Sequence, residues 1–117
     1  MKYLCLIYEE ESKMATASKS DMDALMAEYF AFGADITKSG HMVGGDALQP
    51  VRTATTVRVR NGKATTTDGP FAETKEQLGG YYLIEARDLN DAVQVAGRIP
   101  SAKHGSVEVR PIMVFDK

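Results

Sequence analysis

Two short segments of the chain carry apolar side chains at almost every position. Lys2 to Tyr8 (KYLCLIY) and Gly80 to Glu85 (GYYLIE) are rich in aromatic and branched residues, and their length is that of strands. Successive side chains of a strand point to opposite faces, so each segment is predicted to form a strand that is apolar on both faces.

Apolar residues at helical spacing predict two helices. We expect the first helix to begin at Ser20, with Asp23 completing an approximate capping box, and to end at Gly40. The second helix should begin after Asp88, which can cap it, and end at Pro100. The predicted apolar stripes are Met22, Leu25, Met26, Tyr29, Phe32, Gly33 and Ile36 in the first helix and Leu89, Ala92, Val93, Ala96 and Ile99 in the second.

Three further segments are more polar than the two apolar strands. A loop is predicted from Glu9 to Ser18, and a shorter strand, interrupted by two glycines, is predicted from His41 to Leu48. Apolar and polar residues alternate from Ser106 to Ile112, which predicts a last, half-buried strand.

The clearest local signal is a β-hairpin. Thr55 to Arg60 and Lys63 to Thr67 flank Asn61-Gly62, a pair that favours a two-residue type I′ turn. In this register Val57 faces Thr66 and Val59 faces Ala64, so we expect one half-buried side and one solvated side.

These elements follow the order β, α, β, hairpin, β, α, β. Two βαβ units with right-handed crossovers give an α+β, ferredoxin-like βαββαβ fold with both helices on one face of an antiparallel sheet and the hairpin as an addition. In that topology the first and third core strands are central, and these are the two strands predicted to be apolar on both faces. The chain, residues 1–117, is predicted to be a single domain.

Two helices can cover only one face of the predicted sheet. The other face would expose half of the apolar residues of both central strands, and monomers rarely leave an apolar patch larger than about 300–600 Å² uncovered. We therefore expect a homodimer in which two such faces pack on each other. The alternative is that the long polar loops fold over the face.

The charge balance narrows the set of expected partners. The net charge is −2, so nucleic acid is not expected as the main partner, although Arg52, Arg58, Arg60 and Lys63 form a local basic cluster. No segment resembles a signal peptide or is long enough to cross a membrane. We therefore expect a cytoplasmic protein that does not bind membranes.

The sequence contains no motif typical of a metal or cofactor site. The acidic run Glu9 to Glu11 is expected to be solvated, because HExxH, CxxC and calcium-loop patterns are absent. Gly44-Gly45 and Gly79-Gly80 do not form a phosphate-binding loop and predict backbone bends. The single cysteine, Cys5, is expected to be a buried, inert thiol, so no cofactor is predicted.

The most distinctive motif is Asp68-Gly69-Pro70-Phe71. These residue types are typical of a turn, because Asp accepts backbone N–H bonds, Gly allows positive φ and Pro stops strand pairing. A functional role is the alternative, because the polar side chains of Asp68, Glu73, Lys75 and Arg110 could converge there. An acid with a tuned pKa can act as a general base, and a lysine beside it can hold a carboxylate.

Over essentially its whole length, the chain resembles the YCII-related superfamily, in its DGPF branch. The resemblance rests on the MKYLCLIY start, Ser39-Gly40 at the end of the first helix, the run DGPFAETKEQLGGYYLIEA, and SVEVRPI near the end. It implies a ferredoxin-like, dimeric α/β-barrel fold. The DGPF branch is mostly uncharacterised, and some of its members are encoded beside, or fused to, sigma factors of the extracytoplasmic-function type.

In related YCII proteins a His–Asp pair has been proposed as the active site, and one relative removes chloride from a chlorinated hydroxyquinol. That histidine lies on the first helix, some three turns before its final glycine, where this chain has Tyr29. The predicted first helix contains no histidine, so the resemblance argues against this chemistry here. Tyr29 is either a proton donor or, as a residue of the apolar stripe, part of the core.

Two functions of different classes remain open. The first is an enzyme or binder for a small aromatic or acidic organic molecule, in a cleft between helices and sheet at the dimer interface. The second is a non-enzymatic regulatory partner, for instance of an extracytoplasmic-function sigma factor, with Arg58, Arg60 and Lys63 as the contact. For the first function the expected site residues are Asp68 or His104 as the base, Lys75 or Arg110 as the anion anchor, and Phe71, Glu73 and Tyr81 as further ligand contacts.

Overall fold

A computed structural model describes residues 1–116. This part of the chain has a mixed α+β architecture with two antiparallel sheets and three α-helices, which is compatible with the predicted ferredoxin-like fold. The strands are β1 (Lys2–Glu9), β2 (Met42–Ala47), β3 (Thr55–Arg60), β4 (Lys63–Asp68), β5 (Gln77–Glu85) and β6 (Ser106–Pro111), and the helices are α1 (Glu11–Ala15), α2 (Lys19–Lys38) and α3 (Leu89–Gly97). Short 3₁₀ turns span Val51–Thr53 and Pro100–Lys103.

The larger sheet has four strands in the order β2-β5-β1-β6, and every neighbouring pair is antiparallel. β1 and β5 are central, which confirms the prediction for the two segments that are apolar on both faces. The core lies on one face, where Tyr3, Cys5 and Ile7 of β1 are buried beside residues of α2 and α3. Burial raises the pKa of the Cys5 thiol to about 11, as expected for an inert cysteine.

The first helix of the prediction corresponds to α2, with a different cap. The hydroxyl of Ser18 accepts a hydrogen bond of 3.0 Å from the backbone N–H of Asp21, so Ser18 and not Ser20 is the N-cap. The helix ends before Gly40, as predicted, and the φ of 83° at this residue favours glycine. Within residues 1–116, no helix combines the length and the apolar character needed to cross a membrane.

The polar segment from Glu9 to Ser18 is not all loop, because it contains α1. Two long-range hydrogen bonds hold this short helix at Glu11. Its backbone N–H donates to Gln77 Oε1 and its carboxylate accepts from the backbone N–H of Val51, both at 2.9 Å. A local sequence pattern contains neither partner, which explains why a loop was predicted.

The second predicted helix corresponds to α3, and Asp88 caps it by accepting a bond of 2.8 Å from the backbone N–H of Asp91. The predicted stripe is partly wrong, because Leu89 and Val93 are 54% and 51% exposed. Two small alanines face the sheet instead and allow the helix to lie close to it. The buried residues of α3 are Asp91, Ala92, Val95 and Ala96.

The hairpin forms in the predicted register, with Val57 opposite Thr66 and Val59 opposite Ala64. The turn residues Asn61 and Gly62 both have positive φ, 53° and 77°, as a type I′ turn requires. However, β3 and β4 form a separate two-stranded sheet. The expectation of a half-buried side is therefore wrong within this chain, where Val57 and Val59 are 61% and 60% exposed.

The second face of the four-stranded sheet lies opposite the helices. Leu4 and Leu6 of β1 point to this face, and the strand register sets Leu83 and Tyr81 of β5 beside them. All four side chains are half-buried. We call this surface the open sheet face.

Candidate functional site

The apolar stripe of α2 is covered along only half of its length. At the C-terminal half, Phe32 and Ile36 are 4% and 0% exposed against the core. In the N-terminal half, Met22 and Leu25 are half-buried and Met26 is 50% exposed. The first half of α2 therefore leaves a gap above the sheet, which we call the α2 cleft.

The α2 cleft has a volume of about 440 Å³ and a largely apolar lining. This volume is within the range of small-molecule sites, roughly 300–1,000 Å³. Methionine side chains are flexible and polarisable, so the walls can adapt to ligands of different shape. The walls and floor include Met14, Met22, Met26, Ile7, Gly45 and Tyr82.

At two glycines in the floor of the cleft, neighbouring atoms lie too close for a larger residue to fit without a shift. A Cβ atom at Gly45 would lie 2.7 Å from Cδ1 of Tyr82 and 2.8 Å from the backbone oxygen of Tyr81. A Cβ atom at Gly80 would lie 3.0 Å from the backbone oxygen of Asp46. The Tyr82 ring lies over Gly45 and meets the Phe32 ring edge-on, with 5.2 Å between centroids.

A β-bulge also shapes this floor. β1 pairs Ile7 with Gly80 but Tyr8 with Leu78, so Gly79 is the extra residue in β5. Bulges bend a strand locally and are frequent beside functional sites. The Gly79-Gly80 pair is thus a backbone bend, as the sequence predicted, and it borders the cleft.

Tyr29 supplies a hydroxyl group at one end of the cleft. Its Oη is hydrogen-bonded to Oγ of Ser101, a residue with 0% exposure in the 3₁₀ turn after α3. Burial is the main cause that raises the pKa of Tyr29, and nearby Glu9 raises it further. Tyr29 therefore keeps its proton at neutral pH. Either hydroxyl can donate in the bond to Ser101, and when Ser101 donates, the Tyr29 proton is available to a ligand.

Glu9 supplies the charge. It is the last residue of β1, half-buried, and it lines the cleft as well as two neighbouring cavities. Asp46 also borders the cleft, but its carboxylate accepts a bond of 2.7 Å from the Tyr81 hydroxyl on the open sheet face, which raises the pKa of Tyr81. Among residues 1–116, those lining the cleft include no Lys, Arg or His, and the charged residues that border it are Glu9 and Asp46.

The structure separates most of the site residues expected from the sequence. Tyr81 borders the α2 cleft, while its hydroxyl is engaged by Asp46. His104 is exposed and lines the cavity on the other side of Glu9. Arg110 lies on β6 opposite Leu4, on the open sheet face, and pairs with Glu108.

The motif Asp68 to Phe71 lies at the end of the hairpin, away from the cleft lining. Asp68 is the last residue of β4, and Gly69, with a φ of 104°, donates its N–H to the carbonyl of Ala54 at 2.7 Å. Phe71 is 81% exposed, and Glu73 and Lys75 are exposed in the loop that follows. Within residues 1–116, the side chains of Asp68, Glu73 and Lys75 make no hydrogen bond or ion pair, and the backbone of the motif bends at Gly69.

A second polar constellation lies at the far end of α2. His41 Nε2 is 3.1 Å from Oδ2 of Asp91, and His41 Nδ1 is 2.7 Å from Oγ of Ser39. The backbone N–H of Arg87, followed by the His41 ring, lowers the pKa of Asp91 to about 2. An ionised carboxylate can only accept, so Nε2 carries a proton. In the neutral ring Nδ1 is an acceptor, and the Ser39 hydroxyl can donate either to it or to the backbone oxygen of Ile36 at 3.2 Å. We call Ser39, His41 and Asp91 the helix clasp.

The helix clasp has the order nucleophile, base and orienting acid, yet the backbone around it argues against acyl transfer. The N–H groups of Ser39, Gly40 and His41 all donate to carbonyls of the last turn of α2. None of them is free to stabilise an oxyanion, and the negative end of the helix dipole disfavours one. The clasp instead joins the end of α2 to the first turn of α3.

Sequence reasoning missed three residues of these two sites. Glu9 was assigned to a solvated run, although its position two residues after Ile7 places it on the inner face of β1. Met14 was assigned to a loop, and Asp91 was not singled out in the second helix. Residues 1–116 contain no group of three His, Cys, Asp or Glu side chains arranged to hold a metal ion.

Two comparisons with known proteins bear on the whole chain. The sequence model of one protein family, the YCII-related domain, matches residues 1–116. A protein of Rhizobium meliloti (strain 1021), described as uncharacterised, is 36% identical to this chain over 117 residues, which covers 98% of this chain and 94% of the relative.

Proposed function

The chain belongs to the YCII-related family, and from this premise we propose that it binds a small aromatic molecule, neutral or cationic, in the α2 cleft. The observation that carries the proposal is the uncovered half of the α2 stripe above an aromatic floor. Met22 and Met26 form one side of a gap whose other side is Tyr82, so a flat apolar ligand would complete the packing.

The charge of the cleft selects among aromatic ligands. Glu9 would repel a carboxylate and favour an ammonium or a hydrogen-bond donor, because the cleft lining described above includes no cation. The sequence predicted an aromatic or an acidic molecule, and the charge of the cleft favours the aromatic one. Tyr29, which lies near Glu9, would donate to an oxygen of the ligand.

The open sheet face supports the proposal of a homodimer. Leu4, Leu6 and Leu83 give it an apolar centre, and a second copy related by a two-fold axis would cover that centre with the same residues. Such a dimer of packed sheets is the dimeric α/β barrel expected from the resemblance. The α2 cleft lies on the helix side of the sheet, so each copy would hold its own ligand.

A protein-binding role is a second candidate function, and the exposed hairpin favours it. Arg58, Arg60 and Lys63 are exposed, and this basic surface could contact an acidic regulatory partner such as a sigma factor of the extracytoplasmic-function type. The motif Asp68 to Phe71, which suggests the DGPF branch of the family, would then serve as the turn at the base of the hairpin. A pull-down that recovers a partner with wild type and loses it with R58E/R60E would support this function.

The methionine methyl groups provide a direct test of ligand binding. In a protein labelled with ¹³C at these methyls, we expect phenol, indole and tyramine to shift the signals of Met14, Met22 and Met26. Met113 is 72% exposed in the C-terminal segment and serves as the internal control. Benzoate should bind more weakly than tyramine, and Glu9→Gln should reduce that preference. The proposal fails if none of the probes shifts the cleft methyls, or if Met113 shifts equally.

A further inference from the structure

The hairpin of β3 and β4 has two chemically different faces. The register sets Val57, Val59 and Ala64 on one face and Arg58 and Arg60 on the other. Both valines are about three-fifths exposed. A two-stranded hairpin alone in water is marginally stable, so this one needs a surface to cover its valine face.

The shape of the chain indicates that the valine face of the hairpin is not covered by the rest of the same chain. The radius of gyration is 16.3 Å, against about 13 Å for a compact chain of this size. The principal extents are 49 × 48 × 18 Å, a slab as thick as one sheet and one helix layer. The hairpin therefore extends within the plane of the slab and does not fold back over it.

Hydrogen bonds hold the hairpin in this extended position. At its base, the N–H of Gly69 donates to Ala54 O at 2.7 Å, and Thr56 Oγ1 donates to Gly69 O at 2.8 Å. The preceding 3₁₀ turn is fixed by the bond of 2.9 Å from the Val51 N–H to the carboxylate of Glu11. The base of the hairpin is thus attached to α1 beside the cleft.

We infer that the hairpin is an arm whose valine face, Val57 and Val59, packs on a second copy of this chain. The inference rests on the proposed homodimer, because the copy that covers the open sheet face of a slab 18 Å thick lies next to the in-plane hairpin. Two-fold symmetry then covers two arms and two sheet faces in one interface, with no further partner. The basic face, with Arg58 and Arg60, would remain in solvent.

Variants on the two faces of the same strand test the inference. V57E/V59E places charge on the valine face, and R58E/R60E makes as many substitutions on the opposite face. Sedimentation equilibrium should show that V57E/V59E weakens the dimer at least roughly a hundredfold, because the interface buries four valines in total. R58E/R60E should leave the dissociation constant within a fewfold of wild type. Circular dichroism should show that both variants keep the fold, since β3 does not belong to the four-stranded sheet.

Two further measurements separate the possible failures. Leu6→Glu, on the open sheet face, tests the homodimer itself, and a wild-type protein that is monomeric at all concentrations overturns both proposals. A wild-type dimer that V57E/V59E does not weaken overturns the arm alone. Hydrogen exchange gives an independent readout, because the amides of β3 and β4 should exchange more slowly above the dimer dissociation constant than below it. Equal exchange at both concentrations would contradict the arm.

Discussion

The two halves of α2 carry the same kind of apolar stripe but have different surroundings. The C-terminal half lies on the core through Phe32 and Ile36, and the helix clasp joins its end to α3. The N-terminal half, with Met22 and Met26, stands above the α2 cleft. A stripe therefore predicts which side of a helix faces the sheet, but not how far along the helix the cover extends.

The side chains of the two halves agree with this division. The covered half uses Phe32 and Ile36, which have few rotamers and fill a fixed space, whereas the uncovered half uses methionines, which adapt to a variable space. We interpret the covered half as the part that holds the fold and the uncovered half as the part available to a ligand. Substitutions that affect only one half can break or sharpen this comparison.

The largest difference is expected between Ile36→Ala and Met26→Ala. Ile36 is fully buried, so its truncation leaves a cavity and should lower the free energy of unfolding by about 2–5 kcal/mol. Met26 is half exposed and borders the cleft, so its truncation should lower the free energy by less than about 1 kcal/mol. Urea unfolding followed by circular dichroism measures both values. Similar losses in the two variants would contradict the division of α2.

A smaller effect is expected at the floor of the cleft, where two adjacent glycines form a matched pair. Gly45→Ala places a methyl group against the Tyr82 ring and the backbone of Tyr81, which should cost about 1–3 kcal/mol. Gly44→Ala meets nothing within 4 Å and should change the stability little. Thermal unfolding of the two variants measures the difference. Equal stability of Gly45→Ala and Gly44→Ala would contradict the close packing of the Tyr82 ring against Gly45.

Because of the helix clasp, the stability of the folded state should depend on pH. The folded state lowers the pKa of Asp91 to about 2 from its ordinary 3.8, so the carboxylate stabilises the fold above pH 3.8. That contribution is lost as the pH falls from 3.8 through 2, where Asp91 becomes protonated in the folded state. Asp91→Asn should lower the melting temperature at pH 7 and flatten its decline in this window.

Asp23 provides the control for this prediction, because it is an exposed acid of α2 whose ion-pair partner within residues 1–116 is Lys19. Asp23→Asn should follow the wild-type curve throughout. Melting curves between pH 2 and pH 7 compare the three proteins. If Asp91→Asn declines between pH 4 and pH 2 as steeply as wild type, the clasp does not contribute the stability assigned to it.

Local patterns predicted much of the fold. The alternating and continuous apolar runs identified the four strands of the sheet, and Asn61-Gly62 identified the turn and register of the hairpin. The order of elements was enough to make β1 and β5 central, because few topologies connect such an order with right-handed crossovers. These features depend on residues close together in sequence or on chain connectivity.

The candidate site depended on information that local patterns do not contain. Glu9 is close to Tyr29, and Tyr29 to Ser101, only because β1, α2 and the turn after α3 are packed together. The sequence instead drew attention to Asp68 and its neighbours, whose residue types are distinctive but whose side chains are exposed. Unusual composition drew attention to the bend that follows the hairpin, and the cleft was formed by ordinary residues that no motif marks.

The smallest effect is expected where the two halves of α2 meet, at the hydrogen bond between Tyr29 and Ser101. Tyr29→Phe and Ser101→Ala each leave the other hydroxyl without its partner, and each should cost about 1–2 kcal/mol. The double variant removes both hydroxyls, so it should cost less than the sum, with a coupling of about 1 kcal/mol. A double-mutant cycle of urea unfolding measures this coupling, and strictly additive losses would show that the two hydroxyls do not stabilise each other. The same variants should differ in ligand binding, because Tyr29 borders the cleft and Ser101 is not among its lining residues.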